Sequence, residues 1–329
     1  MGPVLVTPPV LVTHPILVTH PILVTHNGKF HCDEVFAYAV LRHALGVHQP
    51  GADHILVRTR DPAGIASGTV VWDVGLQYDA GANRFDHHQR GAPERPDGTP
   101  YSSAGLVWQR YGHQAVAALL GGDGDLADAV AADLDDSIVR RIDEVDNGVA
   151  IGPDKLGLGA LIGDYNPPWD QPRDAASEDA AFLQAAALAD GVLRRRVAQV
   201  RARLLADAEV LAAHEASADP RVLELERNMP WKGAVFAHDL PVLYAVYPAS
   251  SGNWMVDTMP PDAESFAQRL PLPEAWAGLP EAELPAATGV PDAVFVHLRR
   301  FVGAARSRAG AVAMARRSIE LAGSPAAHA

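Results

Sequence analysis

Apolar positions along this chain follow two alternating periods. Three short runs rich in β-branched residues, PILVT at 21 to 25, HILVRT at 54 to 59 and TVVWDVG at 69 to 75, have the length and composition of buried strands. Between the first two, residues 33 to 46 (DEVFAYAVLRHALG) place Val35, Phe36, Ala39, Val40 and Leu41 at helical spacing, with Gly46 as the stop. A helix beginning near Ser102 (SSAGLVWQRYG) and another from about Asp125 to Asp146 continue the pattern. This order predicts an α/β unit built on a mainly parallel sheet with helices on both faces.

The pattern breaks at NPPWDQP, residues 166 to 172, where three prolines fall in seven residues. From Ser177 to about Ala216 the chain is rich in Ala, Leu and Arg, and LRRRVAQVRARLL at 193 to 205 puts arginines on one side of a long helix. Beyond it, runs at 234 to 237, 242 to 247, 253 to 258 and 293 to 297 predict strands, and 307 to 321 a final helix. Before the first strand lies a six-residue repeat, VLVTPP, VLVTHP, ILVTHP and ILVTHN, interrupted by Pro9, Pro15 and Pro21. Proline lacks the ladder donor, so the repeat cannot continue as one paired strand. Residues 1 to 20 are expected to be a duplicated, poorly ordered extension; a metal site built from His14, His20 and His26 is the weaker reading. The expected organisation is an extension at 1–20, an α/β domain at 21–172, a connecting helix at 173–216 and a smaller α/β C-terminal domain at 217–329.

Charge narrows the partners. The 329 residues carry 27 Lys and Arg against 40 Asp and Glu, a net charge of −13. Such a chain is poorly suited to coating nucleic acid by counterion release. A nuclease remains compatible, because a site that holds divalent cations must itself be rich in carboxylates. Cys32 is the sole cysteine, which excludes an internal disulfide framework and a four-cysteine zinc module and fits a reducing compartment. With no run of roughly 20 apolar residues and no signal-peptide pattern, a cytoplasmic protein without a membrane partner is expected.

The chemistry concentrates before residue 114, where ten of the fourteen histidines lie. Directly after ILVT comes His26-Asn-Gly-Lys-Phe-His31-Cys-Asp33-Glu34, a loop placed where open parallel sheets bind ligands, beyond a strand's carboxyl end. Asp33 as a helix cap is the structural alternative. Asp73 ends the third apolar strand in VVWD, and an aspartate there calls for a cap, a partner or a ligand role. Asp86-His87-His88 sets a carboxylate and two imidazoles in sequence, a donor mixture that suits manganese, cobalt, iron or zinc better than calcium. Asp143 and Asp146 close the fourth cluster, Ile142 to Gly148, and a solvated helix end is the plain reading of it. Together the clusters supply the six or seven ligands that roughly two neighbouring metals need.

These motifs, THNGKFHCDE (25 to 34), VWDVG (71 to 75), FDHHQRG (85 to 91), SSAGLVW (102 to 108) and DEVDNG (143 to 148), strongly resemble the melanocyte proliferating gene one family of the DHH phosphoesterase superfamily. The likeness continues through SGNW (251 to 254), SFAQRLPLPEAWAGL (265 to 279) and VFVHLRRFVGAARSRAGAVAMA (294 to 315). It implies a DHH-type fold, two divalent ions with manganese first and magnesium, cobalt or zinc as alternatives, and 3′ to 5′ exonuclease action on RNA or DNA. The matching motif positions are His26, His31 and Asp33, then Asp73, then Asp86, His87 and His88, and last Asp146 or Asp143. Where the family commonly has Gly-Gly followed by Asn-Lys, this chain has Gly303-Ala304-Ala305-Arg306, with Arg306 left to supply the cation.

The mechanism expected from these residues is hydrolysis by a metal-bridging hydroxide, with Asp33 or Asp73 as the shared carboxylate and His88 as phosphate contact or leaving-group acid. Arg90, Ser102 and Ser103 are candidate phosphate contacts in the first domain, with a surface ion pair and helix capping as their alternatives. Asn253, Arg299, Arg300, Arg306 and Arg308 are candidates for gripping single-stranded RNA or DNA, or a short oligonucleotide, in the second. A small-nucleotide or pyrophosphate hydrolase is the nearest competing function. A nonenzymatic metal-bearing regulatory protein and a Cys32 nucleophile are the competing classes, and a homo-oligomer is compatible with all of them.

Overall fold

The computed structural model describes residues 20–122, 124–149, 152, 155–171 and 173–323. The extension expected at 1–20 lies outside the described residues except for His20. The chain divides between Val197 and Ala198 into two compact units, each with its own five-stranded mixed sheet.

In the first unit, β1 (Ile22–Thr25), β2 (Ile55–Arg58), β3 (Val70–Trp72), β4 (Tyr78–Asp79) and β5 (Arg84–Phe85) lie in the order β2-β1-β3-β5-β4. β1 pairs in parallel with β2 and β3, and β3 in parallel with β5, while the β4–β5 pair is antiparallel. The helices are α1 (Cys32–Leu45), α2 (Pro62–Ala66), α3 (Ser103–Leu119), α4 (Gly124–Leu134), α5 (Arg140–Asp146) and α6 (Leu158–Gly163). A π turn over Asp135–Val139 joins α4 to α5, so the single helix expected from Asp125 to Asp146 carries an irregularity. Every residue of α1 from Cys32 to Leu41 is buried, because the sequence is apolar on nearly all sides. Such a helix belongs at the centre of a core, and α1 packs against α3, α5 and α6. Gly46 stops it in the left-handed conformation, φ 66°, where a side chain would be disfavoured.

A helix of 42 residues, α7 (Ala175–Ala216), runs through the division between the units. The second unit then holds β6 (Val222–Glu224), α8 (Lys232–Ala237), β7 (Tyr244–Pro248), β8 (Trp254–Thr258), α9 (Leu284–Thr288), β9 (Ala293–Val296), β10 (Val302–Ala305) and α10 (Arg308–Ala322). Its sheet order is β6-β7-β8-β10-β9, with β6–β7 parallel and the other pairs antiparallel. Alternation along the strands feeds two cores. Val222, Tyr244 and Val246 pack with Met314 and Ala315 of α10, and their neighbours Leu223 and Ala245 pack with Trp231 and Val235.

Residues 234–237, expected as a strand, are the end of α8. A four-residue apolar run fits either period, and here Ala234 and Val235 bury one side of a helical turn against Trp231 and Leu225. β6 and β10 were not anticipated. β10 reads VGAA, poor in strand-forming residues, yet Gly303 must be small: a Cβ there would lie 3.1 Å from Leu272 Cδ1 and from the Phe295 carbonyl. No described helix is long and apolar enough to cross a membrane.

Candidate metal centre

Topology gathers the polar residues. β1, β3 and β5 are adjacent and parallel, so their carboxyl ends open on one edge of the sheet. The chain leaves β1 for β2 on one side and returns to β3 on the other, which makes the β1/β3 boundary a switch point of the kind that forms a ligand crevice. His26 follows β1, Asp73 follows β3, and Asp86, His87 and His88 follow β5. The first turn of α1 adds Asp33 and Glu34, its N-cap is His31, and the end of α5 adds Asp146.

Within the crevice, His26 Nε2 lies 2.9 Å from Glu34 Oε1 and 3.1 Å from Asp73 Oδ2. His87 Nε2 lies 3.2 Å from Asp73 Oδ1, 3.5 Å from Asp146 Oδ2 and 3.8 Å from Asp33 Oδ2. Four triplets each bring ligand atoms within 4.8 Å of one another: His26, His31 and Glu34; Asp73, His87 and His88; His31, Asp33 and Asp146; and Asp33, Glu34 and Asp73. Asp73 reaches its place at φ 57°, a left-handed backbone that aspartate adopts more readily than most residues.

Three carboxylates here are almost fully sequestered: Asp33, Glu34 and Asp73 are 1%, 0% and 3% exposed. Among the described residues their ion-pair partners are imidazoles, with no Lys or Arg on any of them. The electrostatic consequence is a cluster that holds protons. Burial, reinforced by Asp33 and Asp73, pushes Glu34 up to about 8. Burial and the Asp33 charge do the same to Asp146, also to about 8, and burial with the Asp73 charge raises Asp33. Burial opposes a charged His26, but its hydrogen bonds to Asp73 and Glu34 win and carry it to about 10; His87, bonded to Asp73, rises to about 9. Asp73, despite its burial, is held down at about 2 by those two imidazoles. His26 Nδ1 lies 3.1 Å from the Asn27 carbonyl and 3.1 Å from Arg60 Nη2, leaving Nε2 aimed at the carboxylates.

Other candidates stand behind this group. Ser103 Oγ donates to Asp33 Oδ2 at 2.7 Å, and Ser102 Oγ donates to Asp143 Oδ1 at 2.7 Å. Both serines, expected as phosphate contacts, are fully buried with their hydroxyls on these carboxylates. Asp143 belongs to a separate network: Arg95 Nε donates to its Oδ2 at 2.8 Å, while the same guanidinium forks onto Asp135. Of the two aspartates considered for the last motif, Asp146 is in the crevice and Asp143 is outside it. Asp86, expected as a ligand, is in none of the four triplets; it accepts from the amides of Leu76, His87 and His88 and pairs with His88 Nδ1 at 2.7 Å. That pairing raises His88, which is 54% exposed at the rim. Asp33 is not the helix cap, because His31 occupies that position and its amide donates to Glu34 Oε2 at 2.8 Å.

Glu34 is the member that reading the residues missed. It follows His31 by three and so mimics an ordinary capping glutamate, and its complete burial is visible only in three dimensions. Cys32 is 8% exposed, and burial pushes its thiol well above the usual range, the opposite of what a nucleophilic thiolate needs. Arg90 is exposed beside the His88 turn. In the second unit Arg299 is exposed, Arg300 sits at φ 64° in the β9–β10 turn, and Asn253 is half-buried before β8. Arg306 pairs with Glu281, and Arg308 with Glu224 at 3.1 Å and Glu226 at 2.5 Å, so both already have acidic partners.

Fold and site therefore define an α/β protein with a buried His–carboxylate cluster at its strand ends that could hold a metal ion. A family model described as an uncharacterised protein family (UPF0160), with the short name MYG1_exonuc, matches residues 22–319, and the chain belongs to that family. It is 33% identical over 324 residues to "MYG1 exonuclease" of Homo sapiens, covering 89% of this chain and 84% of the human protein. The mouse protein of the same name is 32% identical over 322 residues (89% and 83% covered), and an MYG1 protein of Caenorhabditis elegans is 33% identical over 325 residues (90% and 94%). No solved structure matches the chain.

Proposed function

We propose that this chain is a divalent-metal-dependent phosphodiesterase of the DHH superfamily that removes nucleotides from the ends of single-stranded RNA or DNA, in the 3′ to 5′ direction, in the cytoplasm. The observation that carries the reading is the set of buried carboxylates without a built-in Lys or Arg. Asp33 Oδ1 is buried and has no hydrogen-bond partner among the described residues, an expensive arrangement unless a cation completes it. The donor set of imidazole and carboxylate fits manganese, with magnesium, cobalt and zinc as alternatives. Exonuclease relatives and the order of the motifs support the same reading.

His26, His31, Asp33, Glu34, Asp73, His87 and Asp146 would hold two ions; His31, Asp33, Glu34 and Asp73 each occur in two of the triplets, and of these Asp33 or Asp73 is the carboxylate to be shared. Divalent ions supply Lewis acidity toward a phosphoryl oxygen and lower the pKa of water. Ser103 keeps the Asp33 carboxylate in one rotamer through its 2.7 Å bond. Asp86 stabilises the charged form of His88 and raises its pKa, and exposure at the rim leaves its Nε2 open as the proton donor to a departing oxygen. Arg90 is available to a phosphate beside it. In the C-terminal domain, which we place at residues 217–329, Arg299 and Arg300, without an ion pair among the described residues, are the better strand contacts, and Arg306 and Arg308 must first give up their glutamates.

The test is a manganese-dependent assay across single-stranded RNA, single-stranded DNA, a dinucleotide and pyrophosphate. Stepwise shortening of an end-labelled strand, abolished by EDTA and restored by manganese, is the expected result. Hydrolysis of pyrophosphate alone would replace this reading with the small-substrate one, and metal uptake without turnover of any of the four would make the protein a binding module.

A further inference from the structure

A cleft of about 880 Å³ lies within the first unit and is lined by both His31 and Asp146, so it opens onto the metal cluster. Its walls are hydrocarbon. Ile138 of the π turn, Val145 of α5, Leu158 and Leu161 of α6 and Val192 of α7 all line it. Val145 is 46% and Leu161 41% exposed, which leaves sizeable apolar surface facing the opening. Three cationic side chains also line it: Arg141 pairs with Glu144 at 3.1 Å, whereas Lys29 and Arg196 have no ion pair among the described residues.

An acidic chain with apolar side chains and two unpaired cations around the mouth of a carboxylate cluster needs an occupant that is part flat hydrocarbon and part anion. Inorganic phosphate and pyrophosphate have nothing to place against Val145 and Leu161. A nucleotide has both parts: its base covers apolar wall, and the phosphates on either side of its sugar are close enough for the cluster and for Lys29 or Arg196. The volume falls in the range of about 300–1,000 Å³ usual for small-molecule sites, and burying a base against apolar or aromatic side chains is the sequence-tolerant way to hold a single strand.

We propose that this cleft is the pocket for the base of the terminal nucleotide, so that recognition of the nucleobase is built into the metal-bearing unit itself. The inference rests on the phosphodiesterase reading above, which supplies the reason for a nucleotide to be there. Because the walls are apolar and offer few fixed hydrogen-bonding side chains, the pocket distinguishes the presence of a base more than its identity.

Three ligands with the same phosphate separate the contributions: adenosine 5′-monophosphate, ribose 5-phosphate and inorganic phosphate, titrated calorimetrically into the manganese-loaded protein. Adenosine 5′-monophosphate should bind at least about tenfold more tightly than ribose 5-phosphate, the lower range of a base-stacking contribution. Leu161→Asn and Val145→Asn place an uncharged amide on partly exposed positions. Each should shrink that ratio toward about threefold or less while leaving the affinity for manganese at its wild-type value.

Equal binding of the two sugar phosphates by the wild-type protein would overturn the proposal without reference to any variant. So would variants that weaken both ligands equally, since that pattern reports a general loss of phosphate binding. The outcome is separable from the parent reading. A preserved preference for the base in a protein that cleaves no strand would sink the phosphodiesterase and leave the pocket standing, and strand cleavage without a base preference would do the reverse.

Discussion

Asp143 and Asp146 are one turn apart on α5, and they end in opposite environments. Asp143 is fully buried, receives Arg95 at 2.8 Å together with the hydroxyl and amide of Ser102, and its charge is balanced by a guanidinium the sequence provides. Asp146 points into the crevice with Asp33, Glu34 and Asp73, where no Lys or Arg pairs with them among the described residues. Burying a carboxylate costs several kcal/mol unless it is paired; Asp143 has a guanidinium that is always charged, whereas the crevice carboxylates have imidazoles, which lose their charge when they give up a proton. The difference teaches which acidic group is architecture and which is a candidate receptor: the first is neutralised by arginine, and the second, paired with imidazoles, could hold a metal ion.

Substitutions in the two groups should therefore have opposite signatures. The largest effect is expected from Asp33→Asn. It removes a ligand from two of the four triplets, and it should cut manganese affinity and strand cleavage by more than the roughly 10–100-fold usual for an outer-shell residue. The metal-free protein should melt no lower than wild type, because a charge without a strong partner has been deleted. Scanning calorimetry with and without manganese tests both halves, and a metal-free melting temperature that drops sharply would merge the two groups into one structural network.

Asp143→Ala should do the reverse. It leaves the nearly buried Arg95 without its Asp143 partner and strips Ser102 of its acceptor, for a loss of about 3–5 kcal/mol in stability. Manganese bound per folded molecule should stay close to wild type. Chemical denaturation paired with elemental analysis would expose a failure, either as an unchanged unfolding midpoint or as metal lost from protein that is still folded.

A smaller effect should come from the residue that touches the cluster from behind. Ser103→Ala removes the 2.7 Å bond to Asp33 and should weaken manganese binding by roughly 10-fold, the low end of outer-shell effects, with Asp33 still present. Restoration by Ser103→Thr, which keeps the hydroxyl, would assign the loss to that bond, and a loss equal to that of Asp33→Asn would make Ser103 more than an orienter.

Much of this comparison was readable in the chain, for reasons that particular residues make plain. β1, β3 and α1 announce themselves because their apolar runs are long or strictly periodic, and the same runs carry His26, Asp73 and the His31 to Glu34 turn at their ends. The partition between Asp143 and Asp146 was not readable. Both are acids on one amphipathic segment, and what separates them is Arg95, 48 residues earlier in the chain. Ser102 and Ser103 looked like open helix-terminal donors for the same reason, since only the packing of the start of α3 against α5 and α1 turns their hydroxyls onto Asp143 and Asp33. In the second unit β6, only three residues long, and β10, built mostly of Gly and Ala, carry no period of their own, and their strand state is imposed by the pairs they make with β7, β8 and β9.

Calorimetric titration of manganese into the metal-free protein at pH 6.5 and pH 8.5, in buffers of different ionisation enthalpy, tests the receptor group most directly. His26 and His87 are raised to about 10 and about 9, and Glu34 and Asp146 to about 8, so the metal-free cluster holds protons at neutral pH. Because ligands bind as neutral imidazoles and ionised carboxylates, manganese must displace those protons, and its affinity should rise as pH rises. In the metal-free protein the same raised imidazoles stabilise the fold below about pH 6.5, and that contribution is lost as pH climbs through about 9 to 10. The predicted result is saturable binding near two ions per chain, tighter at pH 8.5, with net proton release revealed by the buffer dependence. Absence of saturable binding, or binding that neither releases protons nor survives in Asp143→Ala but does survive in Asp33→Asn, would contradict the assignment of the strand-end carboxylates as the cation site.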